Sequence, residues 1–208
     1  MNKLKWKRIG DILILDSKFD YESYDDLENL SRKHNVKTIM KIDHIQGTKR
    51  EPVYTVLYGD ETVMDMFAGI GYFSIPIGVH SNAKHVYSIE INPNSYFYLK
   101  ENIKLNKLTN VTPILGDCME QAPKYNADRI VMGYVKTTHH YLKVAIDSLN
   151  EGGILHYHET VPEKLMKTRP IERVISQAGS RDVELLKLNK IKKYAPGVEH
   201  VVLDVRIT

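Results

Sequence analysis

The spacing of apolar and polar positions changes character near residue 60. Before it, "GDILILD" is a short apolar run, as in a buried strand, and "YESYDDLENLSRKH" is a polar helix. "VKTIMKID" reads as a further strand. "HIQGTKREPVYTVLYG" starts with loop chemistry and ends in an alternating strand. Residues 1–59 therefore predict a small N-terminal α+β domain.

From Thr62 the runs alternate between strand and helix. The strands are "TVMDMF", "HVYSIE", "NVTPIL", "DRIVMGY" and "ILHYHE", with two more near the end. Asn92-Pro93 opens one of the helices, with Asn92 as cap and Pro93 at the first helical position. Tyr96, Leu99 and Ile103 recur there at spacings of three and four, as a core-facing stripe does. Such alternation predicts an α/β domain over 60–208, a mostly parallel sheet with helices on both faces. "VELLKLNKIKK" and "HVVLDVRIT" are joined by the turn-like "YAPGVE". So short a link predicts a C-terminal antiparallel hairpin, because parallel neighbours need a crossover.

Composition narrows the class only a little. The 208 residues are 42% hydrophobic and 26% charged, enough for a sizeable core. The net charge of +3 is compatible with a nucleic-acid partner without requiring one. The single cysteine, Cys118, excludes an internal disulfide framework and a cysteine-rich zinc site. Met66 to Ala83 has no charged residue, but its glycines, proline, histidine and asparagine fit strand, loop and helix better than a membrane span. The expectation is a cytoplasmic monomer away from membranes.

The candidate chemistry begins in "DETVMDMFAGIGYFSIP". Asp65, Gly69 and Gly71 form D-x-x-x-G-x-G, with Phe67 beside the acid. Glycines there let the chain turn after the strand and let a ligand approach the main chain. The dinucleotide fingerprint needs a third glycine, and Ser74 stands in its place. Glu90 ends the next strand, nineteen residues after Gly71, where a carboxylate accepts ribose hydroxyls. Asp117 follows the third strand, placed to face an adenine amino group, with Cys118 next to it. S-adenosylmethionine, which carries no phosphate, fits this set; another nucleotide is the alternative. The outline is then a Rossmann-like S-adenosylmethionine-dependent transferase fold.

After the fourth strand, amine and base methylases of this fold often carry Asn/Asp-Pro-Pro-Tyr or Asn-Leu-Pro to hold the target nitrogen. Here the place reads "MGYVKTTHHY". Gly133 has no side chain to hold a nitrogen. Tyr134 can stack on a flat base, or simply pack over the strand ends.

"DMFAGIGYFSIP", "IEINPNSYFYLKENIKLNKL", "RIVMGYV", "HYHETVPEK" and "KIKKYAPGVEHVVLDV" together span most of the chain. They resemble the tRNA-modifying group that contains the guanine-37 N1-methyltransferases and the wybutosine-pathway aminocarboxypropyltransferases. "MGYV" and "HYHET" look like the aminocarboxypropyl branch of archaeal type. The resemblance implies transfer of the 3-amino-3-carboxypropyl group of S-adenosylmethionine to a tricyclic guanosine derivative at position 37 of phenylalanine tRNA. It also implies a longer stretch before the glycine strand, with a strand pair, a Phe-Ser-x-Gly-Asn-like turn and an Arg/Lys-rich helix start. In this chain "VLYG" runs directly into "DETVMDMF" at Asp60.

Other residues are candidates on chemistry alone. His156 and His158 share one face of their strand, and Glu159 stands at its carboxyl end. Tyr134, His158 and Glu159 are the catalytic candidates. Two histidines without a third ligand at familiar spacing predict no metal. Arg169 and Arg173 share a helix face, and Lys190, Lys192 and Lys193 lead into the hairpin. With Tyr134 they form the expected tRNA-facing set. Lys3, Lys5, Lys7, Arg8, Lys49 and Arg50 add basic charge. The alternatives are a guanine-37 N1-methyltransferase and a tRNA-binding module that holds the cofactor without catalysis.

Overall fold

The computed structural model describes residues 6–9, 12–16, 18, 24–36, 38–46, 51–59, 61–81 and 83–208. Lys3, Lys5, Lys49, Arg50 and Asp60 lie outside the described residues, and Lys7 and Arg8 are described as backbone only. The chain divides into two compact units, Met1–Glu61 with Asn82–Lys84, and Thr62–Ser81 with His85–Thr208.

The smaller unit is a four-stranded sheet in the order β1 (Trp6–Ile9), β2 (Ile12–Leu15), β3 (Thr38–Gln46), β4 (Glu51–Gly59). β2 and β3 are parallel, and α1 (Tyr24–His34) is the crossover between them. Leu13, Leu15, Leu27, Val36 and Ile39 form its core. β3 runs on through "HIQ", where loop chemistry was expected, because the residues pair with β4 as far as Gln46 and Glu51.

The larger unit holds a seven-stranded sheet. In chain order its elements are β5 (Thr62–Asp65), α2 (Ser74–His80), β6 (His85–Glu90), α3 (Pro93–Leu105), β7 (Val111–Leu115) and α4 (Cys118–Gln121). Then come β8 (Ala127–Met132), α5 (Leu142–Asp147), β9 (Leu149–Pro162), α6 (Arg169–Ala178), β10 (Val183–Ala195) and β11 (Val198–Ile207). The spatial order is β10-β11-β9-β8-β5-β6-β7. β5 to β9 are mutually parallel, while β11 runs antiparallel to β9 and β10 antiparallel to β11. The expected Rossmann-like sheet with a closing hairpin is therefore the observed one.

Alternation places the core. Met64, Ile130, Met132, Leu155, Tyr157, Val161, Val201 and Leu203 project to one face and meet Cys118 of α4, Leu142 to Ile146 of α5 and Val174 of α6. On α3 the stripe read from spacing is buried at Leu99 and Ile103 and half-buried at Tyr96. Asn92 caps that helix through its side chain, accepting from Asn94 and Ser95. Arg181 ties the foot of the sheet together, donating to the carbonyls of Ile146, Leu149, Asn150 and Ile207. β5 pairs β6 on one side and β8 on the other, so the strand order reverses at its carboxyl end. Ligands of open α/β sheets bind at such a point.

Candidate functional site

The loop after β5 turns through Gly69 at φ +57 and Gly71 at φ +104. A Cβ at Gly71 would also lie 2.5 Å from Cγ1 of Ile75, so space and backbone both demand glycine there. The loop is tied to its neighbours by main-chain bonds. Met66 N–H donates to Val131 O on β8, and Ala68 N–H to Ile89 O on β6. Asn102 of α3 adds a side-chain bond, Nδ2 to Ile70 O at 2.8 Å. The sequence reading passed over Asn102, although a polar residue beside Leu99 and Ile103 on a core stripe was its signal.

Asp65 is fully buried beneath this loop. It accepts from Phe67 N–H at 3.3 Å and from Ser74 Oγ at 2.7 Å. Burial pushes its carboxyl up to about 6. Its contacts hold the loop, and the side chain expected beside the cofactor is enclosed by them. Ser74, noted only as a missing glycine, is the residue that fastens α2 to Asp65.

Glu90 bridges two turns. Its Oε2 accepts from Gly69 N–H at 2.7 Å and its Oε1 from Asn92 N–H at 2.7 Å. An ionised carboxylate has about four acceptor positions, so capacity for ribose hydroxyls remains. Asp117 caps α4, accepting from Met119 N–H at 2.9 Å. The Cys118 thiol is pushed up to about 12, first by burial and then by the Asp117 charge. It stays protonated and is no nucleophile. Gly69, Gly71, Glu90, Asp117 and Cys118 thus converge on the carboxyl ends of β5, β6 and β7. The set fits S-adenosylmethionine: a turn without side chains, a carboxylate with spare acceptor positions, and a second carboxylate one strand further out.

On the other side of the switch point the surroundings are aromatic. The Phe67 ring stacks on Tyr134, centroids 5.5 Å apart, and meets Tyr141 edge-on at 5.1 Å. Tyr134 is thereby anchored over the strand ends and still 42% exposed. The Thr138 hydroxyl donates to Tyr134 O and fixes the turn after Gly133. Phe73 lies against Gly133 and meets His158 edge-on at 5.5 Å.

Strand parity separates the candidates on β9. His156 and His158 do share a face. His156 Nδ1 is 2.6 Å from Asp204 and its Nε2 2.8 Å from Arg129. His158 Nδ1 is 3.2 Å from His200 Nε2. Burial first, then the neighbouring imidazoles, lowers His158 to about 4, so it is neutral at pH 7. No group of three or more metal-binding side chains occurs among the described residues.

Glu159 points to the opposite face, 2% exposed. Its Oε1 receives Arg169 Nε at 2.8 Å and Arg173 Nη1 at 2.6 Å, and its Oε2 receives the Tyr157 hydroxyl at 2.9 Å. Burial raises the Tyr157 hydroxyl pKa, which keeps that donor protonated. Glu159, a catalytic candidate by sequence, is here the centre of a buried ion cluster. Arg169 and Arg173, expected to face tRNA, both bond this carboxylate and remain partly exposed. Lys190 Nζ lies 2.8 Å from Oε1 of the fully buried Glu199, an ion pair off hydrogen-bonding geometry. Lys192 and Lys193 are exposed.

Residues 32–186 match the TRM5/TYW2 methyltransferase domain. The chain belongs to the TRM5/TYW2 family. It is 39% identical to the tRNA(Phe) (4-demethylwyosine(37)-C(7)) aminocarboxypropyltransferase of Methanocaldococcus jannaschii, covering 98% of each chain. That TRM5/TYW2 alignment runs over 246 positions, whereas this chain has 208 residues, so at least 38 positions have no counterpart here. The structure of M. jannaschii TYW2 in complex with AdoMet superposes at TM-score 0.67 with 36% identity, covering 98% of this chain and 99% of that one. P. horikoshii TYW2 in complex with MeSAdo gives 0.65 and 34%, covering 98% and 90%. No described helix of this family member is long and apolar enough to cross a membrane.

Proposed function

We propose that the protein transfers the 3-amino-3-carboxypropyl group of S-adenosylmethionine to a tricyclic guanosine derivative, of the 4-demethylwyosine type, at position 37 of phenylalanine tRNA. The observation that carries this is the near full-length correspondence with the M. jannaschii aminocarboxypropyltransferase. When bound, the donor supplies a sulfonium-activated carbon. Its C–S bond breaks with the electron pair going to sulfur, a C–C bond forms to the base, and that base carbon releases its proton. 5'-Methylthioadenosine leaves, which agrees with a relative solved with MeSAdo.

In this reading Gly69, Gly71 and Glu90 hold the adenosine's ribose, and Asp117 with Cys118 borders the adenine. Gly133 borders the donor side of the switch point without a side chain, and Tyr134 offers a ring for the acceptor base to stack on. Lys192 and Lys193 contact the tRNA backbone, and the enzyme acts in the cytoplasm as a monomer of the archaeal type. The absence of an amide side chain at Gly133 weighs against the guanine-N1 methylation known elsewhere in the family.

The test uses tRNA bearing the tricyclic base and S-adenosylmethionine labelled separately in the methyl and carboxyl carbons. Carboxyl label in the RNA together with methylthioadenosine is the expected result. Methyl label with S-adenosylhomocysteine would replace this reading with the methyltransferase, and no label with the binding module.

A further inference from the structure

Gly133 has an ordinary backbone conformation; its φ is not among the positive ones. What a side chain there would meet is the Phe73 ring, which would have to leave its seat. A Cβ at 133 would lie 2.4 Å from Cε2 and 2.9 Å from Cδ2 of Phe73, closer than real Cβ contacts come. Phe73 is the last residue of the glycine loop, immediately before α2, and its ring is not enclosed: the residue is 36% exposed. It is held instead from two sides, by the bare backbone of Gly133 and by the edge-on ring of His158. His158 is itself braced by His200 of β11 at 3.2 Å. Gly133, just past β8, and His158 of β9, itself braced from β11, therefore hold one half-exposed ring at the carboxyl edge of the sheet. It stands on the far side of the switch point from Asp117, the side away from the expected adenine.

The ring is thus half-exposed and yet seated between two fixed partners. With the ribose assigned to Glu90, the donor's amino-acid arm extends toward the β8 side of the switch point, the side on which Phe73 lies against Gly133. We propose that Phe73 is a positioning residue that packs against the 3-amino-3-carboxypropyl arm of the bound donor, and that Gly133 is glycine so that this ring can be seated. The inference rests on the function proposed above and assigns specificity for the transferred arm to a contact between two strand-end loops. A side chain at 133 would act through Phe73, not by touching the donor.

The experiment is calorimetric titration of the full chain with S-adenosylmethionine and, separately, with 5'-methylthioadenosine, which lacks the arm. Gly133→Ala is expected to weaken S-adenosylmethionine about tenfold, by overpacking against the ring. Methylthioadenosine should change by less than about twofold. Phe73→Ala should show the same selective loss, Phe73→Tyr should retain wild-type affinity, and Gly133→Ala should add nothing in the Phe73→Ala background. Thermal unfolding of each variant identifies any that fails to fold, and Phe73→Tyr keeps the test intact in that event. Parallel loss of both ligands would reduce Phe73 to a support of the glycine loop and overturn the proposal. So would an unchanged affinity in Gly133→Ala.

The labelled-donor assay on the wild type is read separately. If carboxyl label fails to reach tRNA while the selective binding loss appears, the reaction has been misassigned and the Phe73 contact stands. If carboxyl label is transferred but Gly133→Ala binds normally, the reaction stands and the contact falls.

Discussion

The two halves of the sheet use their acids in opposite ways. Over β5, β6 and β7 the carboxylates accept from backbone N–H groups of nearby loops: Asp65 from Phe67, Glu90 from Gly69 and Asn92, Asp117 from Met119. Over β9, β10 and β11 they meet basic side chains from other elements: Glu159 with Arg169 and Arg173, Asp204 with His156, Glu199 with Lys190. The first half shapes backbone and leaves acceptor capacity toward a ligand. The second half is closed on itself, and what it shows at the edge is rings and glycine. The difference teaches that a carboxylate at a strand end is a ligand group only if its own partners leave it free.

The largest effect should separate the halves most clearly. Glu159→Ala leaves two guanidinium groups and the Tyr157 hydroxyl without their partner, and should lower unfolding free energy by about 3 kcal/mol in urea denaturation. Glu159→Gln should cost less, since it keeps shape and one acceptor. Normal stability with abolished transfer in Glu159→Ala would return this residue to the catalytic set.

Smaller effects are expected in pH dependence, with opposite signs. Folded His158 titrates near 4 rather than 6.5, so the unfolded chain binds more protons between those values. Its contribution is present above 6.5 and is lost as pH falls toward 4. Folded Asp65 titrates near 6 rather than 3.8, so the folded chain binds more protons in that window, and stability falls as pH rises through it. Denaturant midpoints at several pH values should show His158→Gln removing about 2 kcal/mol of acid sensitivity. Asp65→Asn should remove a similar loss in the other direction. A shared sign would mean that the two buried groups do not experience the environments described.

The smallest effect concerns RNA. Lys192→Ala should lower the slope of log affinity against log salt by about 1 in tRNA binding. Lys190→Ala, already paired with Glu199, should change it by less than half as much. Equal slopes would show that the Glu199 pair opens on binding.

The contrast also explains what could be read in advance. The glycine loop, the Asn92-Pro93 cap and the closing hairpin are local: each depends on residues close in sequence or on the parity of one strand. The place of Glu90 at the end of β6 was legible because the length of one apolar run sets it. The ion cluster was not. Glu159 and His158 are neighbours in "HYHE", and the sequence made both of them catalytic candidates. Parity sends them to opposite faces, and only α6, folded back over one face, decides that Arg169 and Arg173 belong to Glu159.

Phe73 and Gly133 are sixty residues apart in the chain. The sequence by itself determined that Gly133 offers no polar side chain, and with it the doubt about methyl transfer. Only the tertiary structure decided why a larger residue has no place there. Backbone preferences and periodicity act within a few residues and are written in the chain. Which ring fills which gap depends on how parallel strands, each separated from the next by a crossover, bring their ends together.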